Sequence, residues 1–142
     1  MAQARSNRPI SPHLQIWRWG PGMLVSILHR VTGNGLALAG LGLLLWWVGA
    51  VAGGEGSYQT FIAYVWTGTV PGLSAWTSIL GKLVLIGLTW AFFQHAATGL
   101  RHFVLDLGAG YELDANARWS WMTMVFSVMG TILFWAFLLR SH

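Results

Sequence analysis

HAATGLRHFVLD, residues 95–106, sits inside a long apolar segment and yet carries two histidines, an arginine and an aspartate. His95, His102 and Asp106 are spaced i, i+7 and i+11. At 3.6 residues per turn these positions fall on nearly one line of a helix, with Thr98 and Gly99 on the same stripe. Ionisable side chains are costly in a bilayer, so within a span they face a bundle interior and mark a site. Imidazole nitrogens on such a stripe suit a flat metallocofactor. The glycine between them lets a macrocycle approach the backbone, and haem iron takes neutral imidazole. From the spacing alone, a histidine that only hydrogen-bonds a neighbouring helix is an equal reading.

Working outward, the composition decides the solvent. The chain has 142 residues, 55% of them hydrophobic and 8% charged, with mean hydropathy +0.56. A soluble domain carries about 25% charged residues. The reading is an all-α membrane protein, too short for more than one small bundle. Ten tryptophans agree, because Trp collects at membrane interfaces. The formal charge of +4 does not indicate nucleic acid, since the basic residues are scattered and form no basic-aromatic cluster. There is no cysteine, which excludes disulfides, cysteine-ligated iron–sulfur clusters and thiolate chemistry in this chain. No Walker loop, dinucleotide fingerprint or HExxH occurs.

Residues 1–21 are read as an N-terminal interfacial segment. RPISPHLQIWRW, residues 8–19, is punctuated by Pro9 and Pro12. Leu14, Ile16, Trp17 and Trp19 suit the interface, with Arg5, Arg8 and Arg18 among the headgroups. The first span is expected over 22–52, with Pro21 in its first turn. Its strongly apolar part, 31–51, is long enough to cross a bilayer at about 20 residues. Ser26, His29, Arg30 and Gly33 stand at i, i+3, i+4 and i+7 and share one face near the inner end. Ser26, Gly33 and Gly40 extend that face as a small-residue groove. Alone, Arg30 reads as a snorkelling anchor. With His29 and Ser26 beside it, it offers hydrogen bonds and positive charge to a carbonyl, a propionate or a lipid phosphate.

Residues 53–73 open with GGEGS and carry Phe61, Tyr64, Trp66 and Pro71, which suggests a short interfacial helix and a turn. The second span is expected over 74–107, with Lys82 snorkelling outward. GAGYELDANAR, residues 108–118, reads as a polar connector, and the third span as 119–139 with Trp119 and Trp121 as interface anchors. Three spans put Arg5, Arg8, Arg18, Arg30, Arg101 and Arg118 on one side, against Lys82 and Arg140 on the other. The positive-inside rule then places the N-terminus inside. His95 is expected ~9–10 Å deeper than His29 and His102 at 1.5 Å per residue. A haem suits this arrangement, with iron at His95 and propionates toward the basic inner rim, and a quinone head group suits the same region. His102 shares a helix with His95 and cannot reach the opposite face of the same iron. His29 is expected to be too shallow, and His13 and His142 lie outside the spans. The sixth iron ligand is therefore expected from another chain.

RPISPHLQIWRW, SILHRVTG at 26–33 and HAATGLRHFVLDLG at 95–108 together resemble the cytochrome b membrane-anchor subunit of succinate dehydrogenase, respiratory complex II. The resemblance rests on Ser-x-x-His-Arg-x-Thr and His-x-x-x-Gly-x-Arg-His-x-x-x-Asp and covers essentially the whole chain. It implies three spans, N-terminus inside, forming half of a heterodimeric haem-binding bundle. It implies that His95 is an axial ligand of haem b, that Ser26 and Arg30 border the ubiquinone site, and that His29, Arg30 and His102 lie near the haem propionates. The implied partners are a second small membrane anchor supplying the other haem ligand, an iron–sulfur subunit and a flavoprotein subunit. The implied location is the bacterial inner membrane, or the mitochondrial one. This chain would do no chemistry on succinate. A quinol:fumarate reductase anchor, another small b-type cytochrome and a non-redox proton-relaying transporter subunit are the competing readings.

Overall fold

The computed structural model describes residues 11–72 and 74–140. Arg5, Arg8, Pro9 and His142 lie outside them. A single turn, α1 (His13–Ile16), precedes the first span. Leu14, Ile16, Trp17 and Trp19 are exposed there. Pro21 begins α2 (Pro21–Gly35), where its missing N–H costs nothing. At Leu36–Gly40 the helix widens into a π turn, in which the Leu41 N–H reaches the Leu36 carbonyl five residues back. It then resumes as α3 (Leu41–Ala52). The whole is one apolar rod, Pro21–Ala52, of 32 residues. α4 (Glu55–Ile62) and a π turn at Ala63–Thr67 return along its C-terminal end, the outer end in the expected orientation. α5 (Ser74–Asp106) and α6 (Leu113–Arg140) complete the fold. Among the described residues, three helices are long and apolar enough to cross a membrane.

The second span is the hub, packed against the first, the third and the 55–67 connector. The interior is polar and small, and the surface is apolar. Buried side chains include Gln94, Thr98, Ser120, Ser127 and Thr131, while Leu, Phe and Trp line the outside. Lipid solvates apolar side chains as well as a neighbouring helix does, so close backbone approach decides which faces meet. On α6 the meeting face is Ser120, Thr123, Ser127 and Thr131, all buried. Their hydroxyls donate back to their own helix, as from Ser120 to the Asn116 carbonyl (2.8 Å) and from Thr131 to that of Ser127 (2.7 Å). Ser127 instead directs its hydroxyl across to Gln94 Oε1 (2.6 Å).

The connector 53–73 is more helical and more deeply engaged than its composition suggests. Phe61 and Val65 pack with Ala50 against Leu43 and Leu85, a small apolar core at the outer end. Gly81 makes this possible, because any Cβ there would overlap the Val65 carbonyl. Lys82, expected to snorkel outward, is exposed and sets its ammonium 5.3 Å over the Trp66 ring. A cation over an indole face is attracted by the ring quadrupole. The connector between the second and third spans is shorter than predicted. α6 starts at Leu113 rather than 119, with Asp114 in its first turn, where the helix dipole favours an acid. Gly108, at φ 82°, helps end α5 by donating to the Leu105 carbonyl (2.8 Å).

Candidate functional site

The first and second spans run antiparallel, and three histidines predicted as site residues meet between them. The His29 and His95 rings are stacked, with centroids 4.0 Å apart and planes within 7°. The His102 ring stands edge-on to His29 at 5.2 Å. The expected 9–10 Å offset in depth between His29 and His95 is therefore wrong. α2 begins at Pro21, so His29 already lies two turns inside the helix, and the antiparallel register brings it level with His95. Gly33 is what permits the approach. A Cβ there would lie 2.8 Å from His95 Cε1 and 3.3 Å from its Nδ1. One heptad on, Gly40 faces Leu88, with an added Cβ 3.7 Å from Leu88 Cδ2, so the predicted groove continues across the π turn.

Each ring is held by the opposite helix. His95 Nδ1 lies 3.1 Å from the His29 backbone carbonyl and 3.4 Å from Thr32 Oγ1. His29 Nδ1 lies 2.8 Å from Thr98 Oγ1. A carbonyl can only accept, so His95 donates from Nδ1, which in a neutral ring leaves the lone pair on Nε2. A ligating histidine is commonly tied in this way, by its other N–H to a carbonyl.

Ser26 is half-buried one turn before His29, and Arg30 is exposed on the same helix. His102 is exposed as well. Arg101, expected beside His102 at the basic rim, turns elsewhere. It stands six residues, about 240°, round from His95. There its Nη2 donates to Asn116 Oδ1 of the third span at 2.5 Å, and only 8% of the residue is exposed. Arg101 is a tie between helices and does not line the histidine face.

Among the described residues no three His, Cys, Asp or Glu side chains converge as a cage for a bare metal ion. The donor set suits a porphyrin iron instead, which asks one protein chain for a single well-held imidazole. The glycine cradle at Gly33 and the free Nε2 of His95 fit that demand. The rings of His29 and His95, parallel and 4.0 Å apart, would not both hold one iron, so of this pair His95 alone would hold it. A cavity of about 560 Å³ near the outer end, bordered by Leu43, Phe61, Leu88, Phe92 and Phe134, holds no titratable group and is not a candidate for this chemistry.

Residues 4–134 match the family described as succinate dehydrogenase/fumarate reductase transmembrane subunit. The chain belongs to this family. It is 34% identical to the succinate dehydrogenase cytochrome b556 subunit of Paracoccus denitrificans, over 94% of this chain and 96% of that one. The Rickettsia bellii protein of the same name is 33% identical over 92% of each chain. The mitochondrial cytochrome b560 subunit of Mus musculus is 37% identical over 76% of this chain and 58% of its own. The family membership agrees with an all-helical chain of three membrane-length helices and makes it a membrane subunit of a succinate dehydrogenase or fumarate reductase complex.

Sequence reasoning missed Thr32 as a partner of His95, and placed Thr98 on the stripe without a role. A signal was available. HRVT at 29–32 and HAAT at 95–98 repeat His-x-x-Thr on both helices. Gln94 and Asn116, which tie the second and third spans together, carried no comparable signal. Their partners are 33 and 15 residues away.

Proposed function

We propose that this chain is the haem b- and ubiquinone-binding anchor of a succinate:quinone oxidoreductase, carrying electrons from succinate to quinone. The observation that carries the reading is His95, tied at Nδ1 to the His29 carbonyl and free at Nε2, on a face shared with His29 and His102. His95 would hold the iron from one side. His29, Arg30 and His102 would receive the propionates. Ser26 and Arg30 would donate to a quinone carbonyl and stabilise the negative charge that grows on it during reduction. When bound, haem b supplies a one-electron carrier beside the quinone. A flavoprotein and an iron–sulfur subunit would oxidise succinate and deliver its electrons, and a second small anchor would supply the other axial ligand. The membrane is the bacterial inner membrane or its mitochondrial counterpart, with the N-terminus inside.

The test is the reduced-minus-oxidised spectrum of this chain expressed with its partner subunits. A low-spin b-type spectrum is expected, lost in His95→Leu and retained in His102→Leu. The chain alone is expected to bind haem poorly or in a five-coordinate high-spin form. Absence of haem bands from the assembled complex would replace the reading with a proton-relaying or purely structural anchor.

A further inference from the structure

The two His-x-x-Thr segments form a reciprocal clasp, and proton counting fixes its polarity. Each threonine hydroxyl has one hydrogen. Thr98 spends its hydrogen on its own helix, on the Gln94 carbonyl at 2.5 Å. Thr32 does the same on the Leu28 carbonyl at 2.7 Å. Both oxygens are then left as acceptors, so His29 must donate from Nδ1 to Thr98, as His95 donates from Nδ1 to the His29 carbonyl. Both neutral imidazoles therefore carry their lone pair on Nε2. Thr98 is fully buried, so no water competes for its bond.

We infer that Thr98 is a positioning residue for the iron ligand, acting through His29; this rests on the reading of His95 as that ligand. The chain of contacts is short. Thr98 fixes the His29 ring, the parallel stack fixes the plane of the His95 ring, and the His29 carbonyl fixes its tautomer. A hydrogen bond donated by a ligating imidazole raises its basicity and favours ferric iron. The same helix carries Ser26 and Arg30, so the clasp ties the plane of the haem ligand to the segment proposed to meet the quinone. Without the Thr98 hydroxyl, the His29 N–H is left without its acceptor inside the helix pair, the ring turns to find another, and the stack is lost.

The experiment uses the assembled complex with Thr98→Val, which keeps the shape and removes the hydroxyl, and Thr98→Ser, which keeps the hydroxyl. Ferric low-spin EPR and a redox titration of the haem are the readouts. Thr98→Val is expected to change the largest g value and to shift the haem midpoint upward, or to lose the haem outright. Thr98→Ser is expected to restore the wild-type signature in either case. A Thr98→Val complex with unchanged g values and midpoint would overturn the inference. So would a Thr98→Ser variant that behaves like Thr98→Val, since the methyl rather than the hydroxyl would then be the part that matters. A wild-type complex without b-type bands would instead fail the proposed function itself.

Discussion

At the residue scale the pairing of Ser26 with Arg30 carries the most direct consequence. Arg30 is exposed on the chain, one residue from a histidine that is locked on both sides. Its guanidinium is thus free to present a planar fork of donors to a carbonyl oxygen. Arg30→Leu is expected to lower quinone reductase activity by roughly a hundredfold, the scale of losing one donor to developing charge. Succinate oxidation by a soluble artificial acceptor should survive, and parallel assays of the two activities separate the outcomes. Loss of both would make Arg30 an assembly residue. Arg30→Lys should rescue only in part, because the ammonium lacks the fork. The meeting of His29, His95 and His102 was legible in the sequence, because an ionisable side chain in an apolar run announces itself. The relative depth of His29 and His95 was not. Periodicity orders residues along one helix and says nothing about how far a second helix is slid against it.

At the element scale, small residues decide which helices touch. The connector 55–67 docks because Gly81 lets the Val65 backbone lie against the second span. Gly81→Ala should force the two apart, at about 1–3 kcal/mol for overpacking. Gly87→Ala on the same helix makes the control, since an added Cβ there meets nothing within 4 Å. Thermal unfolding of the complex in detergent should show a lower midpoint for the first variant and an equal or slightly higher one for the second. Three long apolar helices were readable from hydropathy. The third helix starts at Leu113, ahead of the apolar run read from 119, because Asp114, Asn116 and Arg118 look like loop and form a helix start outside that run. The grip of Arg101 on Asn116 was hidden for the same reason.

For the whole molecule, topology and assembly are linked. An odd number of spans sends the C-terminus to the side opposite the arginine-rich N-terminus. A reporter fused after residue 142 should therefore signal the periplasmic or intermembrane-space side. A reporter signal from the inner side would mean an even number of crossings or three crossings with the N-terminus outside, and a second reporter at the N-terminus separates the two. The proposed iron site belongs to this scale too. His29 was expected to be too shallow to act as a second ligand; in the structure its ring instead lies flat against that of His95. Under the proposed function a histidine from a neighbouring chain would still be called for, on the basis of ring geometry rather than depth.

The 32-residue rod Pro21–Ala52 is longer than the layer it crosses. At 1.5 Å per residue it measures ~48 Å, against a hydrocarbon core of about 30 Å. His29 lies ~12 Å from the Pro21 end. With the surplus divided equally between the two ends, the histidine clasp would lie close to the boundary where hydrocarbon gives way to headgroups. Acyl-chain length then becomes a variable of the site. In thin bilayers Arg30 and His29 meet water, and in thick ones they are drawn into oil, with the helices tilting to share the mismatch. The same polypeptide would hold its cofactor in two different dielectric surroundings according to the lipids around it.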